Sequence, residues 1–155
     1  MEDIKNLKES PEVRYYINNG IGHIILVLLF VLIWYLVNFI SSGNGKLEPP
    51  SIAMIAVSII GIGFGIYYFI LALIIYKTSL DKIYYVVLNK IYTRNKKKAG
   101  FEFDMKVNGV RGKYFTLAVF NFGNNGANVE SFMNKRCACV YNEKLKSLII
   151  VKVLD

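Results

Sequence analysis

The sequence predicts a membrane α+β protein: two transmembrane helices paired as a hairpin, a short amphipathic helix, and a small antiparallel β-sheet domain. Three observations carry that expectation. Two long stretches contain no Lys, Arg, Asp or Glu; cations gather after the second of them; and from Phe101 the apolar residues recur at every second position. The chain has 155 residues, 54 % of them hydrophobic, and its mean hydropathy of +0.38 exceeds that of ordinary soluble domains.

The uncharged stretches are 21–40, IGHIILVLLFVLIWYLVNFI, and 52–76, IAMIAVSIIGIGFGIYYFILALIIY. As helices, both are long enough to cross a hydrocarbon layer of roughly 30 Å. The chain therefore divides into an N-terminal segment at 1–20, a hairpin at 21–76 with an external loop at 41–51, and a basic α+β domain at 77–155. The first stretch reads as a retained helix rather than a secretory signal, because no A-x-A-like site follows Ile40 and a second span comes soon after. Gly61-x-Gly63-x-Gly65 resembles a phosphate-binding loop only superficially. An open loop in hydrocarbon would strand backbone hydrogen-bonding groups, and a dinucleotide fingerprint would need a third glycine where Ile66 stands. Gly61 and Gly65 instead have the small-xxx-small spacing of helix packing. Their expected neighbour is the first helix of the same hairpin, with a homo-oligomer as the competing use.

Orientation follows the cations at the span ends. Lys5, Lys8 and Arg14 precede the first span, the loop SSGNGKLEPPS holds only Lys46, and Lys77, Lys82, Lys90, Arg94, Lys96, Lys97 and Lys98 follow the second. Both termini are expected to be cytoplasmic, making this a multi-pass protein of the cell membrane. Trp34 and Tyr35 sit toward the outer boundary and Tyr15, Tyr16 and Tyr76 near the inner one. His23 and Asn38 are the polar side chains of interest within the spans. His23 lies less than one turn inside and reads as an interfacial histidine rather than a proton relay.

After Tyr76, apolar residues at Leu80, Ile83, Tyr84, Val87, Leu88 and Ile91 fit the stripe of an amphipathic helix over 79–92, with Thr78 and Asp81 resembling a capping box. A strand competes there, but the alternation is poor. Arg94, Lys96, Lys97 and Lys98 form a juxtamembrane cluster suited to anionic lipid headgroups. Residues 77–155 carry fifteen Lys/Arg against six Asp/Glu, a net of +9. Nucleic-acid binding is the weaker reading of that charge, because no nucleic-acid motif accompanies it. FEFDMKV at 101–107 alternates as a half-buried strand, Asn108-Gly109 marks a hairpin, and KYFTLAVFNF at 113–122 reads as a central strand. NFGNNGANVES at 121–131 is a loop whose Asn124, Asn125 and Asn128 are candidate partner contacts. KRCACVY at 135–141 and KSLIIVKVL at 146–154 complete a sheet of about four strands.

No catalytic constellation emerges, and no metal site or cofactor is expected. Cys137 and Cys139 are the only cysteines and His23 the only histidine, so a four-ligand zinc site lacks donors and a soluble nucleophile lacks its base. The two thiols fall on one side of a strand and read as core residues. Glu102 and Asp104 share an outward face, where salt bridging is the simpler role.

The NG turn, the loop, and CVYNEKLKSLIIVKV with its tight turn resemble uncharacterised small bacterial membrane proteins in which a transmembrane hairpin carries a compact β-domain. The resemblance implies architecture and transfers no functional residue. The expected role is a non-enzymatic anchor, accessory or immunity-type protein presenting its cytoplasmic β-domain to a protein partner or to the lipid bilayer surface. The alternative is a small oligomeric transporter or pore subunit.

Overall fold

The computed structural model describes Leu7 and residues 10–42, 49–95, 98–122 and 128–154. These fall into two compact units, one drawn from Met1–Tyr15 with Ala72–Asp155 and the other comprising Tyr16–Leu71.

Two helices dominate the chain, α1 (Pro11–Ser41) and α2 (Ile52–Tyr76). The bounds of α2 coincide with its uncharged stretch. By contrast, α1 begins at Pro11, ahead of the uncharged stretch, so half of the expected N-terminal segment, residues 11–20, is helical. The reason is local. Ser10 stands at the N-cap and its carbonyl accepts from the Arg14 N–H at 3.1 Å. Pro11, with no N–H to orphan, takes the first helical position and Glu12 adds negative charge to the first turn. At 31 residues the helix is about 46 Å long, more than hydrocarbon requires, and its opening residues to Tyr15 belong to the first unit.

Within the hairpin unit α1 and α2 approach closely through glycine. A Cβ placed on Gly65 would lie 3.1 Å from Ile24 Cγ1 and 3.3 Å from the Gly20 carbonyl oxygen, and one on Gly61 would overlap the Val27 side chain. The remaining faces are apolar and uncovered: Leu26 is 68 % exposed and Ile40 77 %. Of the most apolar part of each helix, only 6 % in α1 and 17 % in α2 is buried. Both helices are long and apolar enough to cross a membrane.

The other unit is built on six strands among the described residues: β1 (Ile83–Val87), β2 (Ile91–Asn95), β3 (Lys98–Val107), β4 (Val110–Phe115), β5 (Arg136–Asn142) and β6 (Ser147–Val153). They form two antiparallel three-stranded sheets, β1-β5-β6 and β2-β3-β4. A parallel bridge between Thr116 and Leu148 links them. The described strands thus number six in two sheets, where one sheet of about four was expected.

Three further expectations are corrected. The stretch 79–92 is not an amphipathic helix but holds β1 and the first two residues of β2. Its β-branched and aromatic run IYYVV favours strand, and its alternation is hidden because the outward residues Tyr85 and Val87 are apolar too. Thr78 and Asp81 form no capping box: Thr78 lies just past the end of α2, and the Asp81 N–H donates to Ser79 Oγ at 3.2 Å. Finally, 113–122 is not one central strand. β4 ends at Phe115 and lies at a sheet edge, and the apolar residues after it serve the core, with Val119 and Phe120 buried.

The hairpin turn forms as its residues dictate. Asn108 and Gly109 take φ of +48° and +88°, the left-handed pair that matches strand twist and suits Asn-Gly. Asn108 also ties this turn to β1, its N–H donating to the Tyr84 hydroxyl at 3.1 Å. In the core, Phe120 stacks edge-on against Phe101 at 5.2 Å and Phe132 at 5.0 Å. Buried Thr116 exchanges hydrogen bonds with Phe101: its N–H donates to the Phe101 carbonyl and its Oγ1 accepts from the Phe101 N–H, both at 2.9 Å. Thr116→Val keeps the shape and removes that acceptor together with the hydroxyl's donation to the Leu117 carbonyl at 3.4 Å. It is expected to lower stability by about 1–3 kcal/mol, measured by thermal unfolding of the sheet signal, whereas Thr116→Ser should retain most of it.

Candidate functional site

The first unit contains the opening turn of α1 and the last turn of α2, and buried polar side chains fasten both to the strands. Ser10, Glu12 and Val13 of the α1 start are buried, as is Leu7 ahead of it. Ser10 Oγ lies 2.9 Å from Glu12 Oε2, and Glu12 Oε1 accepts from the Ile150 N–H of β6 at 3.2 Å. Ile150 stands where the β5–β6 ladder shifts register between Ala138 and Cys139. Burial pushes the Glu12 carboxyl up to about 7 against the hydrogen bonds from Ile150, its own N–H and Ser10, which act to lower it.

At α2 the linking residue is Asn142, at the end of β5. Its Nδ2 donates to Thr78 Oγ1 at 2.6 Å and to the Ile74 carbonyl oxygen at 3.3 Å, capping an orphan carbonyl of the last helical turn. Its Oδ1 accepts from the Leu145 N–H at 2.9 Å, which shapes the β5–β6 turn. One amide therefore serves a helix end and a hairpin together. Asn142→Ala is expected to cost about 1–3 kcal/mol and to increase proteolytic cleavage at Lys144 and Lys146, read by limited trypsin digestion against wild type.

The sequence-derived residues fall in several places. Gly61 and Gly65 lie in the hairpin contact described above. Arg94 is exposed in β2, while Lys98, opening β3, is half-buried. Its Nζ donates to Asn121 Oδ1 at 2.8 Å and stands 4.2 Å over the Tyr15 ring. Burial draws its ammonium down. Lys98 is thus engaged with its own fold, and Lys96 and Lys97 lie outside the described residues. So do Asn124 and Asn125. Asn128 pairs with Asn121 in an isolated parallel bridge, and its Oδ1 accepts from the Glu130 N–H at 3.0 Å, which starts a 3₁₀ turn.

Other candidates resolve simply. Cys137 and Cys139 are buried in β5 and form no disulfide. Burial, followed by the Glu12 charge, pushes the Cys139 thiol well up, which keeps it protonated and unreactive. Glu102 accepts from Lys90 at 2.7 Å and pairs with Lys113 at 3.3 Å. Lys90 first and Lys113 with it hold its carboxyl below the usual range. Among the described residues no three of His, Cys, Asp and Glu gather as a metal site. In the hairpin, His23 Nδ1 donates to the Asn19 carbonyl at 2.8 Å and its ring packs on Tyr68 at 5.1 Å. Asn38 Nδ2 donates to the Trp34 carbonyl at 3.1 Å within its own helix.

An exposed apolar cluster lies at the opposite end of the β1-β5-β6 sheet. Tyr85, Val87 and Leu154 border a shallow recess with Arg136. Since Val87 pairs with Arg136, the cluster sits about 20 Å along β5 from Asn142, taking the rise of a strand.

Sequence reasoning missed Ser10, Glu12 and Asn142. Ser-Pro-Glu was a legible helix start, with a capping serine, a first-position proline and an acid in the first turn. Burial of that acid had no sequence signal. No family model matches the chain, and no curated protein and no solved structure matches it either.

Proposed function

We propose that this is a non-enzymatic membrane protein of the anchor or accessory class. Its hairpin is held in the bilayer and its β-domain is presented on the cytoplasmic side to a protein partner. The observation that carries the reading is the uncovered apolar surface of α1 and α2: so many exposed Leu, Ile and Phe side chains along the uncharged stretches of two helices have no stable place in water. The cation count at the span ends favours both termini on the inner side.

The exposed apolar cluster of Tyr85, Val87 and Leu154 supports a protein as the occupant of the β-domain. Homo-oligomeric pore formation is the weaker reading. Gly61 and Gly65 are already filled from the same chain, and Asn38 is satisfied inside its own helix.

The test is extraction of the expressed chain with alkaline carbonate, together with a reporter fused after Asp155. Retention in the membrane pellet and reporter activity on the inner side are expected. Release into the supernatant, or an external reporter, overturns the anchor reading. For the partner surface, Tyr85→Lys with Val87→Lys should remove whatever protein co-purifies specifically with wild type while leaving membrane retention intact. Recovery of the same protein by the double variant would exclude that surface.

A further inference from the structure

We propose that Glu12 is a proton-operated latch: with its carboxyl protonated it fastens the first turn of α1 to β6, and its ionisation loosens that attachment. The inference goes beyond the anchoring role and does not depend on the identity of a partner, since it rests on groups within one compact unit.

The geometry explains why the neutral form holds. Ser10 Oγ and the Ile150 N–H lie 2.9 and 3.2 Å from the two carboxyl oxygens. A protonated carboxyl keeps both contacts, because a serine hydroxyl can accept as readily as it donates and Oε1 still receives the Ile150 N–H. Protonation therefore leaves no orphaned group.

The ionised form is different. Its charge is fully buried, and none of the ion pairs among the described residues reaches it. Three hydrogen-bond donors, the Ile150 N–H, the Glu12 N–H and the Ser10 hydroxyl, together with the positive end of the helix, offset part of the lost hydration. The rest favours opening the contact to water.

The surrounding groups leave Glu12 as the one that changes charge near neutrality. Cys139 faces it from β5, and burial pushes that thiol well up. Tyr92 faces it from β2, its hydroxyl likewise raised by burial, with Arg94 beyond it lowering and Glu12 itself raising that value. β6 contributes a backbone N–H, and α1 contributes Ser10 and the Glu12 N–H. With the carboxyl titrating at about 7, the latch works over the range in which cells vary their internal pH.

The experiment is amide hydrogen exchange on the full chain in nonionic detergent, corrected for intrinsic exchange rates and read at the Ile150 amide at pH 6 and pH 8. Opening returns the carboxyl from about 7 to its ordinary 4.5. The wild-type protection factor should therefore fall about tenfold between the two pH values. In Glu12→Gln, which keeps an acceptor for Ile150 and cannot ionise, it should stay constant. Equal protection at both pH values in wild type overturns the proposal, and so does an equal fall in the Gln variant. Should that variant fail to fold, the infrared carbonyl band of a protonated carboxylic acid decides in wild type alone. Its presence at pH 6 and loss by pH 8 supports the latch, and its absence at pH 6 refutes it.

Discussion

Glu12→Gln is expected to be more stable than wild type at pH 8 by about 2–3 kcal/mol, and equal to it within about 1 kcal/mol at pH 5. The sign follows from proton linkage. The folded carboxyl titrates at about 7 and the unfolded one near 4.5, so between those values the folded chain holds a proton that the unfolded chain has released. Stability contributed by this group is complete below pH 4.5, declines as pH rises, and is lost above 7. Each unit of difference corresponds to about 1.4 kcal/mol, for a total near 3 kcal/mol. Glutamine matches the shape, offers its oxygen to Ile150 and its N–H to Ser10, and carries no charge to bury. Glu12→Ala should behave oppositely at low pH, losing about 2–4 kcal/mol because Ile150 and Ser10 are left unmatched beside a cavity. Thermal unfolding in detergent across pH 5 to 8, followed by circular dichroism, separates the three chains. A wild-type curve that does not fall with pH would contradict a buried proton at Glu12.

The parts of this fold that were legible in the sequence are those where one force dominates. The absence of charge from 52 to 76 set the bounds of α2 because no competing interaction acts on such a stretch. Asn108-Gly109 named its own turn because few other pairs tolerate positive φ twice. Phe101, Phe103 and Val107 declared β3 because only one of its faces is covered. Where two forces act together the pattern misled. β1 presents Tyr84 and Val86 inward and Tyr85 and Val87 outward, so apolar residues occupy both parities and a helical stripe can be drawn through them. The helix start at Pro11 is written in Ser10, Pro11 and Glu12, whereas the absence of charge marks only the stretch from Ile21 onward. Glu12 and Asn142 were beyond reach for another reason. An acid at a helix start and an amide in a turn are ordinary surface choices, and only the tertiary contact with Ile150 or Ile74 turns them into fastenings.

Gly61→Leu is expected to open the hairpin, destabilising the helix pair by about 1–3 kcal/mol, while Gly63→Leu two residues away should change little. The two positions share helix, depth and chemistry, and differ in what a side chain would meet. Space around Gly63 is open within 4 Å, whereas a Cβ on Gly61 collides with Val27. Valine cannot yield cheaply, because branching at its Cβ holds a single favoured rotamer in a helix. The helices must then separate and forfeit the dispersion contacts that hold apolar helices together where lipid tails compete equally well. If the clash with Val27 is the cause, Val27→Ala should recover much of the loss in Gly61→Ala, giving a coupling energy in a double-mutant cycle. Gly65→Leu should resemble Gly61→Leu, since its Cβ would press on Ile24 and on the backbone at Gly20. Unfolding in mixed micelles of increasing SDS content measures each variant. Equal destabilisation by Gly61→Leu and Gly63→Leu would mean that glycine serves helix flexibility rather than the approach of α1, and the hairpin contact would then have to be drawn elsewhere.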